Sequence, residues 1–446
     1  MGKNENYKFI LIIALAAVVG VFIGIVGSVF HMSIDFIVHS KTQWIKDWWM
    51  YDTKYMWIPY VATSTIMIYI AIHSVRRFAP EAGGSGVQEI EGILEDKRKM
   101  RSIRVLFIKF FGGILSLGGG MVMGREGPTI QMGGALGHLV AKYTKLDNND
   151  VKILISAGAG AGLAVAFNAP IAGMFFVLEE MRKQFRYTNA SVHAVIVASL
   201  VSVIVLHMIL GDYISIPVHY LPSPTTGELW IFVILGVLYG FFGYVFNILL
   251  IKFADLFIAI KGPSFHIASI FIGAFVGFLL WIWPDSVGEG FGVIHQMLHG
   301  NFSLYIILLL LCARFFMTML SYGTSAPGGI FAPMLALGTL FGLGFGIIIN
   351  LMMPHYPVDS YIFAIVGMSA LFSATVRAPL TGIMLILELT HSYTLVLPLI
   401  ITSILASIIA SMLGVRPIYT VLLERTMKIA KFGKSEPGEP DVNKYS

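Results

Sequence analysis

The chain has 446 residues, of which 57% are hydrophobic and only 12% charged, with a mean hydropathy of +0.80. This is far more apolar than the average soluble domain, and it predicts a polytopic membrane protein. The net charge of +5 lies mostly in loops and in the tail (Arg416, Arg425, Lys428, Lys431, Lys434), the pattern of cytoplasmic ends, so nucleic-acid binding need not be invoked. In chain order, a short basic head (Met1 to Lys8) precedes an apolar run from Phe9 to Phe30, too long for a signal peptide and lacking a small-residue cleavage site, so it is expected to stay as a helix. Further runs such as Trp230 to Ile251 and Leu304 to Leu320 approach the roughly 20 residues a bilayer core requires, which implies helices and not a barrel. The single cysteine, Cys312, excludes an intramolecular disulfide and offers no metal cluster.

Three motifs occur twice in the same order, which makes the chain a duplication. Gly84-Ser85-Gly86-Val87 reads as returning at Gly290-Phe291-Gly292-Val293, and Gly124 with Pro128, Gly133 and Gly137 returns as Gly329 with Pro333, Gly338 and Gly342. The longest match pairs Gly158 to Glu179 with Gly367 to Glu388, including Ala169-Pro170 with Ala378-Pro379. Loop charge then inverts the halves: Lys97, Arg98, Lys99, Arg101 and Arg104 follow the first motif, whereas Ile294 to Ser303 carries no Lys or Arg. Likewise Met181 to Tyr187 is basic, and its counterpart Thr390 to Tyr393 is not. The expected organisation is a first membrane repeat over 1–212, an outer linker over 213–227, a second repeat over 228–424, and a short basic tail over 425–446 that leaves no room for an appended soluble domain. The fold class is therefore all-α and polytopic, with two inverted repeats of broken helices. Such repeats place a transported substrate near the midplane, between the halves.

Gly124-Arg125-Glu126-Gly127-Pro128 sets a charged pair before an apolar helix, and Pro128 suits its first position, so Glu126 is expected just outside a helix N-terminus, where free N–H groups attract anions. Two more glycine-flanked helix starts, at Gly84-Ser85-Gly86 and at Gly328-Gly329-Ile330-Phe331-Ala332-Pro333, could aim N–H groups at the same place, with Ile330 and Phe331 as donors. Against these stands close helix packing for the glycines and a plain Arg125–Glu126 pair for the charges. An ionised Glu126 is a tethered anion able to fill a site built for a free one; protonated it leaves, which links proton uptake to anion binding. Glu179 has a twin in Glu388 and is read as architectural. Glu180, whose counterpart is Leu389, is read as an addition suited to passing protons, against a solvated carboxylate paired with Arg182 or Lys183.

These three glycine-rich signatures, over nearly the whole chain, closely resemble the CLC chloride channels and proton/chloride antiporters, and most of all the bacterial antiporters. The resemblance implies a homodimer in the bacterial inner membrane, with both termini cytoplasmic, one pore per subunit and no CBS domains. It implies no cofactor and no metal, only chloride and protons as cargo and the bilayer as surroundings. By position it assigns the central anion to the Ser85 and Tyr419 hydroxyls and the N–H groups of Ile330 and Phe331, the outer gate to Glu126, and the inner proton transfer to Glu180, a residue that the family's channels usually lack. Ser85 resembles the chloride-selective members. Gln88 departs from the family's usual proline, which bears on the loop that holds Ser85.

Two rivals follow. A passive chloride channel of the same family would make Glu180 an ordinary helix-end carboxylate. Gly83-Gly84-Ser85-Gly86 also fits the nucleophile stretch of rhomboid-type intramembrane serine proteases, which would need a histidine such as His73, His138 or His207 within hydrogen-bond reach of Ser85.

Overall fold

The computed structural model describes residues 3–48, 55–185, 187–218, 220–354 and 358–432, and every extended regular element among them is a helix. Arg186, Lys434 and the rest of the tail beyond Phe432 lie outside the described residues. The first half comprises α1 (Lys3–Trp48), α2 (Trp57–Phe78), α3 (Val87–Leu94), α4 (Ser102–Gly118), α5 (Glu126–Tyr143), α6 (Asn148–Phe167), α7 (Pro170–Glu179) and α8 (Asn189–Leu210). The second half repeats this succession as α9 (Leu229–Ala259), α10 (Pro263–Ile282), α11 (Phe291–His299), α12 (Leu304–Gly323), α13 (Phe331–Met352), α14 (Ser360–Val376), α15 (Pro379–Thr390) and α16 (Val396–Met412). A last helix, α17 (Ile418–Phe432), has no twin. Among the described residues, nine helical stretches are long and apolar enough to cross a membrane.

The same chemistry breaks the helices at matching places. Asn168 (φ +56°) and Arg377 (φ +71°) end α6 and α14 in the left-handed conformation, and Pro170 and Pro379 open the short helices that follow. α7 and α15 lie antiparallel, and each is capped by the other: Glu179 accepts from the N–H groups of Leu380 (3.1 Å) and Thr381 (2.7 Å), and Glu388 from those of Ile171 (2.9 Å) and Ala172 (2.7 Å). This reciprocity requires the two halves to run in opposite directions. It also gives Glu179 the architectural role its duplication suggested, since two orphan N–H groups at each helix start are satisfied without water.

Glycine lets the central helices touch backbone to backbone. A Cβ on Gly133 of α5 would come within 2.0 Å of the Gly158 carbonyl of α6, and one on Gly338 of α13 within 2.4 Å of the Gly367 carbonyl of α14. Where the halves meet, Gly124 and its twin Gly329 exchange both backbone hydrogen bonds, at 2.9 and 2.7 Å.

The structure shifts the register of the first repeated motif by two residues. Each half has a one-turn 3-10 segment led by proline, Pro80–Ala82 and Pro284–Ser286. Each is followed by two left-handed glycines, Gly84 (φ +59°) and Gly86 (φ +86°) in one half and Gly288 (φ +77°) and Gly290 (φ +116°) in the other. A buried cation from the matching helix holds each loop: Lys109 of α4 donates to the Ala82 and Gly84 carbonyls, and Arg314 of α12 to those of Asp285, Val287 and Gly288. The twin of Gly84-Ser85-Gly86 is therefore Gly288-Glu289-Gly290, not Gly290-Phe291-Gly292. Glycines spaced by two offer both registers to the sequence, and backbone handedness chooses between them.

Candidate anion-binding site

Three helix starts converge near the junction of the halves. α5 opens on Glu126 itself, two residues earlier than Pro128 had suggested; proline is tolerated because the first N–H groups of a helix have no internal partner in any case. Glu126 does not cap its own helix. Its carboxylate is fully buried and crosses to the other half, where Oε1 accepts from the N–H groups of Phe331 (2.7 Å) and Ala332 (3.1 Å) at the start of α13. The donors to this carboxylate are Phe331 and Ala332, and Ile330 is the residue that precedes the helix. The fit depends on two glycines, since a Cβ on Gly124 or on Gly329 would come within 2.0 or 2.5 Å of the Glu126 carboxylate.

Arg125 turns the other way. It meets Glu289 through Nε and Nη2, the latter at 2.5 Å, and Asp35 through Nη2 at 3.0 Å, so no Arg125–Glu126 pair forms. The two neighbours in sequence serve opposite sides of the helix start.

Ser85 lies on the loop between Pro80–Ala82 and α3, and Tyr419 on the first turn of α17. Both are buried, their hydroxyls are neighbours, and neither makes a well-formed hydrogen bond to a described residue. Buried hydroxyls are seldom left so, because an unmet one costs about 1–3 kcal/mol. With the N–H groups at the start of α13 they are donors that an anion could use. The Phe331 ring walls the site, against Tyr419 (centroids 5.9 Å), Phe372 (4.9 Å) and Phe167 (6.2 Å). The Tyr419 hydroxyl interacts electrostatically with the carboxylates of both Glu126 and Glu180.

The loop stays in place without a proline at position 88. Gly84 donates to the Ser325 and Ala326 carbonyls (3.2 Å each), its own carbonyl accepts from Gly328 (3.1 Å), and Lys109 clamps it from behind. Gln88 is the second residue of α3, buried, with its Oε1 unpartnered. The segment Tyr322 to Pro327 is broken as expected, with α12 ending at Gly323 and Ser325 left-handed (φ +61°).

Glu180 caps the C-terminus of α7; its Oε1 is buried without a partner, and no ion pair to Arg182 or Lys183 forms among the described residues. Sequence reasoning missed its company. Glu91 of α3 is buried beside it, and Glu95, one turn on, accepts from Gln184 at 2.6 Å. The signal was there, since Glu91 and Glu95 are four apart and share a helix face.

None of the three histidines serves Ser85. His138 bonds Ser102 (2.7 Å), His207 bonds Asn168 (2.6 Å) and pairs with Asp212, and His73 stacks on Tyr69. A nucleophile–base pair at Ser85 is not formed.

The comparisons with known proteins agree on one relationship. A family model described as "Voltage gated chloride channel" matches residues 67–411. The "H(+)/Cl(-) exchange transporter ClcA" of Vibrio campbellii is 44% identical over 429 residues, covering 95% of this chain and 92% of that protein. The protein of the same description from Klebsiella pneumoniae is 42% identical, covering 93% and 89%. Among solved structures, a slow cyanobacterial Cl-/H+ antiporter superposes with a TM-score of 0.90 at 37% identity, covering 94% of this chain and 98% of that one.

Proposed function

The chain belongs to the voltage-gated chloride channel family, and on that premise we propose that it is a secondary active transporter exchanging chloride for protons, with Glu126 competing with chloride for one site. The observation that carries this reading is the Glu126 carboxylate on the N–H groups of Phe331 and Ala332. An ionised side chain held there is a resident anion, and a chloride ion needs the same donors. Protonation removes its charge and its claim on them, so chloride and a proton become alternatives linked through one residue. The relatives described as H(+)/Cl(-) exchange transporters support the same reading.

In this scheme the Ser85 and Tyr419 hydroxyls and the helix start at Ile330 and Phe331 hold the central chloride. Glu126 is the outer gate, and Glu180, with Glu91 beside it, passes protons from the cytoplasm. The two halves, 1–212 and 228–424, form one pore per subunit. The linker 213–227 lies outside, the tail from 425 and both termini face the cytoplasm, and two subunits form a homodimer in the inner membrane. No cofactor takes part.

The test is proton flux into vesicles holding the purified protein, driven by a chloride gradient with no proton gradient imposed. Protons moved uphill support exchange. Chloride flux with no proton movement would make the protein a passive channel and Glu180 a plain helix-end carboxylate.

A further inference from the structure

Glu289 is the outward-facing twin of Ser85. The equivalence rests on backbone handedness, on the proline-led turns and on the matched cations Lys109 and Arg314. One loop thus carries a small neutral hydroxyl, whereas its twin carries a carboxylate. Glu289 lines a cavity of about 600 Å³ on the side away from the basic loops, together with Asp35, Lys41, Asp285, Arg125 and Arg314.

The charges of that cavity are nearly spent on protein partners. Lys41 donates to the Gly118 carbonyl (2.7 Å), and Arg314 to three backbone carbonyls. Arg125 is next in sequence to the gating carboxylate. Two of its donors are held by Glu289, whose side chain is 14% exposed, whereas its other partner, Asp35, is 66% exposed and strongly screened. Glu289 is thus the carboxylate that cancels Arg125 at the mouth.

We propose that Glu289 sets the outer chloride affinity: by occupying the anion-loop position on the outer face and neutralising Arg125, it keeps chloride from resting at the outer mouth, so that a hydroxyl-bearing anion loop exists on the inner face alone. The inference rests on the transport reading above. Removing the carboxylate leaves Arg125 with a screened partner in a concave, low-dielectric mouth, which raises the local concentration of anions.

The experiment titrates chloride separately on each face of oriented vesicles holding the full-length protein, comparing wild type, Glu289→Ser, Glu289→Gln and Glu289→Asp. In Glu289→Ser the half-saturating outer chloride falls by on the order of tenfold. The inner-face dependence stays as in wild type, and the difference shrinks when ionic strength is raised with an impermeant salt. Glu289→Asp retains the wild-type outer dependence. Should Glu289→Ser fail to assemble, Glu289→Gln, of nearly the same shape, shows the same fall. An unchanged outer dependence in every assembled neutral variant, or an equal change on both faces, would overturn the inference. A wild type that moves no chloride would overturn the transport reading and this one with it, whereas an exchanging wild type with unmoved variants would overturn this one alone.

Discussion

Glu126 and Glu180 do different work because their surroundings differ. Glu126 meets backbone donors that an anion also needs, so its neutral isostere gives up the competition: Glu126→Gln is expected to carry chloride at a rate varying by less than about twofold with pH, with no coupled proton flux. Glu180 meets no backbone donor and has carboxylate neighbours, which suits handing a proton on. Glu180→Gln should lower proton flux by about 100-fold while chloride still moves, a magnitude typical of removing a proton-transfer group. Paired chloride and proton fluxes in vesicles measure both, and intact coupling in Glu180→Gln would remove it from the proton path. The types of these residues were legible in the sequence, and so was the asymmetry of Glu180 against Leu389. Their partners were less so. That Glu126 would cross to α13 while Arg125 turned to Glu289 depends on contacts between residues far apart in the chain, which no local spacing encodes.

At the scale of elements, close approach separates glycines that look alike in sequence. Gly133 faces the Gly158 carbonyl at a distance no side chain tolerates, whereas a Cβ on Gly292 of α11 would meet nothing within 4 Å. Gly133→Ala is therefore expected to lose about 1–3 kcal/mol or more through overpacking. Gly292→Ala should be neutral or gain up to about 1 kcal/mol by restricting the unfolded chain. Thermal unfolding of the two purified variants separates them, and equal melting temperatures would mean that α5 and α6 can part without loss. α17 is held differently. Arg416 grips Glu424 through two bonds of 2.8 Å and holds its carboxyl below the usual range. A group depressed in this way stabilises above the ordinary carboxylate range and loses its contribution as pH falls through the lowered value. Both side chains are about half exposed, at 56% and 47%, so the pair is worth less than about 1 kcal/mol. Burial of Tyr419, not this clamp, fixes the start of α17.

For the whole molecule, the duplication was legible because glycine, proline and glutamate recur wherever the backbone has to break, approach closely or be capped. The inversion was legible from loop charge alone. Only the first motif gave the wrong register, since a pair of glycines two apart repeats within itself. The reciprocal caps supply the strongest test of how the halves are joined. Glu179 and Glu388 each satisfy two N–H groups at the start of a helix in the opposite half, where water is scarce. Glu179→Ala and Glu388→Ala should each cost about 0.5–2 kcal/mol, the cost of losing a helix cap. The two sites lie at opposite ends of the antiparallel α7 and α15, and α7 has 10 residues, a span of about 15 Å. At that separation the two losses should add within about 0.5 kcal/mol in the double variant. Denaturation of the four proteins in one detergent gives the cycle. A double variant no less stable than either single one would mean that the halves are held together elsewhere. Glu179→Gln should meanwhile keep its proton coupling where Glu180→Gln loses it, because one carboxylate of this adjacent pair is tied to backbone and the other is not.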